Sequence, residues 1–176
     1  MNRESTNADA VDRNASSKYM TFKLMKEEYG IEILKVRELI GLLEITRVPR
    51  AKPYISGLIN LRGKVIPVVD LRVKFGMPAT EPTSQTVIIV VQLAMSAGAV
   101  TIGLLVDEVL EVRAIRESEI EPPPALPNDI DVSFILGVGK SDKRIVFLLD
   151  IDRVLTSEER VEVSAASAES NLSSGG

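Results

Sequence analysis

Polar and apolar residues alternate through Lys18–Met25 (KYMTFKLM), with Met20, Phe22 and Leu24 on one side and Thr21 and Lys23 on the other. Period two marks an extended chain with one buried face, so the spacing predicts a strand. Lys26-Glu27-Glu28 reads as a turn and Tyr29–Ile33 as a second short strand. Ile33, Val36 and Leu39/Ile40 then recur three or four apart, which predicts a short helix with Lys35, Arg37 and Glu38 on its polar side. Ile40–Val48 (IGLLEITRV) returns to strand character, and Pro49–Ile55, with two prolines, is a loop.

The next stretch, Gly57–Phe75 (GLINLRGKVIPVVDLRVKF), organises the rest. Its apolar runs Leu58-Ile59 and Val65–Val69 flank Asn60-Leu61-Arg62-Gly63-Lys64, a tight-turn signal in which Gly63 accepts positive φ without steric cost. The second run ends at Asp70, and Leu71–Phe75 reads as one helical turn capped by that carboxylate. Met77–Ser84, rich in Pro, Thr and Ser, divides the chain into halves. Thr86–Leu93 (TVIIVVQL) is almost continuously apolar, as a strand buried on both faces is. Ala94–Ala99 reads as a turn and Val100–Val106 as a strand, and Val109 and Val112 renew the three-apart spacing within Asp107–Val112. Pro122–Pro127 (PPPALP) excludes a helix or inner strand and predicts a stiff extended loop. Phe134–Leu155 closes the pattern, and Thr156–Val163 is read as a short acidic helix. Residues 1–17 and the stretch from Ser164 onward are polar and poor in large apolar residues, and are expected to be disordered.

The chain repeats itself. Gly57–Phe75 aligns without a gap on Gly137–Leu155, 80 residues later, matching Lys64 to Arg144, Val65-Ile66 to Ile145-Val146, Asp70 to Asp150 and Leu71 to Ile151. A second echo, 73 residues apart, matches Gly30, Ile33, Val36 and Leu39 to Gly103, Val106, Val109 and Val112. Two echoes in the same order imply two copies of one β-rich unit, each of about five short strands. Such a copy suits a small barrel, and neither copy alone buries a large core, so the two are expected to pack together and leave a groove at their junction. The repeat also sorts residues. Asp70 recurs as Asp150, which favours a helix cap over a phospho-acceptor or metal ligand. Arg62 meets Asp142 and Gly63 meets Lys143, so the Asn60–Gly63 turn belongs to the first copy alone.

Composition narrows the chemistry. Among the 176 residues there is no Cys and no His, which removes thiol catalysis, disulfides, Cys/His metal sites and imidazole acid–base or phosphotransfer chemistry. Apolar residues make up 45% and aromatics only 4%, so the core is built from Val, Ile and Leu. The N-terminal stretch lacks an apolar signal segment and no run reaches a membrane span, so the expectation is a soluble cytoplasmic protein. The net charge of −4 disfavours general nucleic-acid binding. It hides an asymmetry: 12 Lys/Arg against 6 Asp/Glu from Lys18 to Met77, and 6 against 12 from Pro78 to Leu155. Either the surface is unevenly charged, or the halves face different partners or attract each other across a seam.

Arg62 has the planar fork that reads carboxylates and is enriched at binding hot spots, but it also suits a solvated turn. Val36, matched by Val109, suits core packing, and Glu38, matched by Glu111, suits a solvated face. Arg62-Gly63-Lys64 lacks the spacing of a phosphate loop. Carboxylate pairs such as Asp107-Glu108 and Asp150/Asp152 stand without other catalytic candidates. A tandem barrel binding a small ligand or an oligonucleotide, and an enzyme using carboxylates, remain as readings of other classes.

YGIEILKVREL, PYISGLINLRGKVIPVVDLRVKFGM and GLLVDEVLEV resemble the CheW family of coupling proteins of bacterial chemotaxis arrays, over roughly Lys18–Leu155. The same domain occurs at the C-terminus of the CheA histidine kinase and the N-terminus of CheV, and the chain's length favours the standalone form, with a CheV-like competitor in array assembly as the alternative. The resemblance implies an all-β fold, with two SH3-like five-stranded β-barrel subdomains around a shared hydrophobic core and short helical turns. It places subdomain 1 at approximately 31–85 and subdomain 2 at approximately 86–155, with the N-terminal strand 18–30 crossing over and a short helix and tail over 156–176. It implies no enzyme activity and no cofactor. It implies a cytoplasmic adaptor, monomeric alone, that links the tips of methyl-accepting chemoreceptors to CheA within membrane-associated arrays, without nucleic acid and without inserting into the membrane itself. The positions matching receptor-contacting residues are Val36, Glu38, Gly57 and Arg62. The kinase surface is expected on Leu43 and Ile45, with a second contact near Ile120–Leu126. There Glu121 and Leu126 replace the basic and aromatic residues of other members. A receptor helix would lie in the groove between subdomains, with Glu38 and Arg62 each meeting an opposite charge on it.

Overall fold

Nearly every stretch with period-two alternation is a strand in the computed structural model, which describes residues 16–94, 98–123, 132–141, 143–156, 159 and 163. The strands are β1 (Ser16–Leu24), β2 (Glu27–Glu32), β3 (Val36–Gly41), β4 (Ile55–Leu61), β5 (Lys64–Asp70), β6 (Val87–Leu93), β7 (Val100–Val106), β8 (Glu108–Arg116), β9 (Ile120–Glu121), β10 (Ile135–Ser141) and β11 (Arg144–Leu149). They form a six-stranded sheet, β8-β1-β2-β11-β10-β9, and a five-stranded sheet, β3-β6-β7-β5-β4. The expected disordered segment loses its last two residues, since Ser16 and Ser17 already belong to β1. Residues 1–15, the tail after Val163, and most of the PPPALP loop lie outside the described residues.

Each sheet curls into an SH3-like barrel in the same way. In the smaller one, β3 and β4 are the edges, and the chain leaving β3 reaches across to β4, where Thr46 exchanges two backbone hydrogen bonds with Leu58 (2.8 and 2.7 Å). In the larger, β8 runs through a 3-10 turn at Glu117–Glu119 into β9, which pairs with β10. Both repeat spacings are structural. Val68 opposes Gly103 in one parallel pair and Leu148 opposes Gly30 in the other. Asp70 and Asp150 both donate their N–H, at 2.8 Å, to the carbonyls of Tyr54 and Phe134. Both cap the helical turns that follow, Asp70 accepting from the N–H groups of Arg72 and Val73, and Asp150 from that of Asp152.

Three expectations change. Ile33–Ile40 is not a helix: a 3-10 turn at Ile33–Lys35 leads straight into β3. Asp107–Val112 is not helical either: Asp107 is a bend and Glu108 starts β8. The three-apart spacing that suggested helices comes from β-bulges. Phe22 and Met20, two apart on β1, oppose Val109 and Val112, three apart on β8, and β3 carries a matching irregularity between Val36 and Glu38. An extra residue in one strand shifts its alternation by one and imitates helical spacing over a single turn. At the first bulge the buried Thr21 hydroxyl donates to Glu111 O (2.7 Å) and accepts from Glu111 N–H (3.2 Å), satisfying groups the bulge unpairs. Finally, Ile40–Val48 is strand only as far as Gly41; the rest is irregular backbone crossing between the barrel's edges.

Sheet membership also departs from a division at 85/86. β6 and β7 belong with β3, β4 and β5, while β1 and β2 join β8–β11. The crossing over is therefore mutual. Each copy places its first hairpin in one barrel and its remaining strands in the other, so β3 pairs with β6 and β8 with β1.

The core follows from this exchange. Phe22, Leu24 and Ile31 of the larger sheet meet Val69, Ile89, Val91 and Leu104 of the smaller in one shared cluster. The intervening residues fill the barrels: Ile59, Ile66, Val68, Ile88 and Val90 in one, Tyr19, Ile115, Val146 and Leu148 in the other. β6 is buried on both faces, as its unbroken apolar run predicts. Five of the seven aromatic residues bridge the copies, with Phe75 stacked on Phe134 at 4.7 Å and Tyr29 between Phe22 and Phe147. Three ion pairs join the basic first half to the acidic second: Lys35–Asp152 (3.1 Å), Arg72–Asp107 and Lys74–Glu159 (2.7 Å). The charge asymmetry thus serves a seam.

Burial raises the Asp70 carboxyl above its ordinary 3.8, opposed by the N–H groups of Val73 and Arg72. Asp70→Ala should cost about 1 kcal/mol in urea denaturation through loss of the cap, whereas Asp70→Asn, which keeps the acceptor and removes the buried charge, should cost much less. At Gly103 an added Cβ would stand 2.7 Å from Ile88 Cγ2 and 3.5 Å from Val68 Cγ2 inside the packed barrel. Gly103→Ala should therefore destabilise by about 1–3 kcal/mol in the same measurement.

Candidate functional site

The β4–β5 hairpin turns on Arg62 and Gly63, both at positive φ (53° and 85°). Two left-handed residues make the loop whose twist matches its flanking strands. Asn60 Oδ1 fastens it by accepting from Gly63 N–H at 2.9 Å. An arginine in the left-handed region is uncommon, and its backbone fixes where the side chain starts. The guanidinium reaches Glu38 on β3 and forms a two-pronged pair, Nη1 to Oε2 at 3.1 Å and Nη2 to Oε1. The hydrogen bond from Arg62 holds the Glu38 carboxyl below its ordinary 4.5 and raises the guanidinium in turn. Arg62 is 71% exposed at its side chain and Glu38 28%, so water screens the pair and its contribution is orientation more than stability. Glu38 and Arg62 are thus brought together, and each neutralises the other in the free chain.

The remaining candidates are placed less uniformly. Val36 is half-buried and packs against the shared core. Gly57 sits on β4 at φ 147°, where an added Cβ would approach the Thr46 carbonyl oxygen to 2.2 Å and Ile45 Cγ2 to 2.7 Å. Its role in the fold is to admit the crossing segment that closes the barrel. Ile45 is half-buried against the barrel interior, and Leu43, like Leu42, is 41% exposed. The two candidate sets therefore share one barrel and touch where Gly57 meets Ile45. At the other end, Ile120 packs on the Tyr19–Ile115 cluster and Glu121 pairs with Lys140 at 2.7 Å, while Leu126 lies outside the described residues.

Sequence spacing did not reveal the Arg62–Glu38 pair, because its partners lie 24 residues apart on different strands. The second copy has no equivalent: Glu111, the counterpart of Glu38, pairs with Arg113 two residues on. The contact of Gly57 with Ile45 was equally invisible, since it depends on the crossing of residues 42–48. Among the described residues, no helix is long and apolar enough to cross a membrane, and no three His, Cys, Asp or Glu side chains are grouped to hold a metal ion.

Comparison with known proteins agrees with this architecture. The model of the CheW-like domain matches residues 18–159. The chain is 37% identical to the chemotaxis protein CheW of Rhizobium meliloti over 155 residues, covering 88% of this chain and 97% of that one. It is 37% identical to CheW of Bacillus subtilis, covering 80% and 88%. The crystal structure of the scaffolding protein TtCheW from Thermoanaerobacter tengcongensis superposes with a TM-score of 0.72 at 35% identity, over 82% of this chain and 97% of that one. With two strand-exchanged barrels, and a family match spanning both, the chain belongs to the CheW-like domain family of chemotaxis coupling proteins.

Proposed function

We propose that this chain is a non-catalytic adaptor that couples the cytoplasmic tips of methyl-accepting chemoreceptors to the histidine kinase CheA within membrane-associated arrays. The observation that carries the reading is the Arg62–Glu38 pair. It is exposed, held by a left-handed turn, and absent from the second copy, so maintaining the fold does not account for it. Receptor tips are taken to present an amphipathic helix, whose apolar stripe needs an apolar wall and whose charges need fixed counterparts. Val36, half-buried on β3, supplies the apolar contact. Because Glu38 and Arg62 already neutralise each other, the receptor meets a pre-oriented dipole instead of two independent charges. Leu43 and Ile45 form the kinase-facing surface on the crossing segment. Receptor and kinase surfaces then communicate where Gly57 abuts Ile45, and signalling proceeds as a shift in how the bound populations are coupled, without bond chemistry in this chain.

Pull-down of receptor cytoplasmic fragments and of CheA with the full chain tests the reading, and failure of both to bind at micromolar protein would refute it. Arg62→Ala should weaken receptor binding about tenfold and leave CheA binding and the thermal midpoint unchanged. Gly57→Val should weaken both partners, since the new side chain must displace Thr46 and Ile45. A carboxylate with a lowered pKa keeps its charge-dependent contribution until the pH falls through that lowered value. Receptor affinity should accordingly stay flat from about pH 7 to about pH 5 and decline only below the ordinary carboxylate range.

A further inference from the structure

The larger barrel carries its own arginine–glutamate pair beside a hairpin turn, and the adaptor reading makes no use of it. Arg144, the first residue of β11, places Nη1 3.2 Å from Oε1 of Glu28 on β2. The two strands run parallel, with Val146 opposite Glu28. Glu28 is 8% exposed, and its Oε2 is buried without a hydrogen-bond partner among the described residues. Leaving a buried carboxylate oxygen without a donor costs stability. The fold does not require it, because the repeat places Thr101 at the position of Glu28 and Lys64 at that of Arg144. The pair occurs once, as the Arg62–Glu38 pair does.

Glu28 lines a concavity of about 420 Å³, together with Lys23 and Lys26 near the β1–β2 turn and Lys143 and Arg144 at the β10–β11 turn. Against Glu27 and Glu28, these four cations leave a charge of +2. Lys23, Lys26 and Lys143 have no ion-pair partner among the described residues. Lys143 is held at φ 68°, and the neighbouring Ile145 is 53% exposed. Cations without an anion and an uncovered aliphatic side chain thus share one corner.

We propose that this corner docks an acidic segment of a partner protein, an interaction surface separate from the receptor- and kinase-facing residues, on the barrel that does not carry Arg62. Carboxylates of the segment face Lys26, Lys143 and Arg144, and its apolar side chains cover Ile145. A polypeptide meets both requirements together, since its side chains carry the negative charge and the apolar cover for Ile145. A simple inorganic anion supplies only the charge.

The test uses the full chain and a fluorescein-labelled peptide of alternating Glu and Leu, followed by fluorescence anisotropy at low and at physiological salt. The wild type should bind in a salt-sensitive manner. Lys26→Ser/Lys143→Asn should weaken binding at least tenfold at an unchanged thermal midpoint, while Lys52→Ser, on the other barrel, should leave it unchanged. Glu28→Thr, the residue the other copy tolerates, removes a carboxylate from the corner and frees Arg144, so it should strengthen binding severalfold without loss of thermal stability. Equal binding by wild type and the double lysine variant would overturn the proposal. So would a Glu28→Thr protein that binds no tighter than the wild type, since the charge of the corner would then have no effect. Lysine-dependent binding to phosphatidylglycerol vesicles without binding to the peptide would assign the corner to a lipid surface instead.

Discussion

A strand that is apolar on both faces can persist in water only if each face is covered and each edge is paired. β6 meets that condition by drawing on both copies. Ile89 and Val91 turn to the shared core, Ile88 and Val90 to the barrel interior, and one edge pairs with β7. The other edge pairs with β3, which arrives from the first copy. β1 depends on β8 in the reciprocal way. The shared core, the barrel closures and the ion pairs across the seam all follow from this exchange. A copy of this size buries too little apolar surface to stand alone, so the cores are joined by trading strands across them, not merely by docking.

Much of this was legible in the sequence, and the failures have a common cause. Period two located the strands because one-sided burial imposes it, and Asp70 was readable as a cap because its job is local. The repeat was readable because both copies keep the same parallel pairing at Gly30 and Gly103. The bulges defeated the periodicity, since one inserted residue turns two-apart spacing into three-apart spacing at Val109 and Val112. Sheet membership was hidden because it depends on which hairpin a strand pairs with, and β3 and β8 have the same pattern whichever barrel they join.

The site divides the same way. The Arg62-Gly63 turn was visible because left-handed backbone selects for Gly, and the absence of its residues from the second copy, where Lys143 holds the same left-handed position, marked it as more than scaffold. What the sequence did not carry was mutual orientation. Arg62 meets Glu38 only because the barrel brings the hairpin next to its edge strand, and Gly57 matters because a carbonyl lies where its side chain would be. Charges that read as separate candidates form a single neutral, directional group.

Reciprocal strand exchange has a consequence for how such a molecule could be assembled. A polypeptide holding one copy alone would contain a hairpin lacking its outer strand and an outer strand lacking its hairpin. Two such polypeptides satisfy each other under a twofold axis, as the copies do here under a pseudo-twofold one. The linker at Met77–Ser84 is then what makes the pairing intramolecular. It replaces a concentration-dependent association with a tether, and it frees the two barrels to differ, one carrying Arg62 and Glu38 and the other Arg144 and Glu28, where identical subunits would have to display the same face twice.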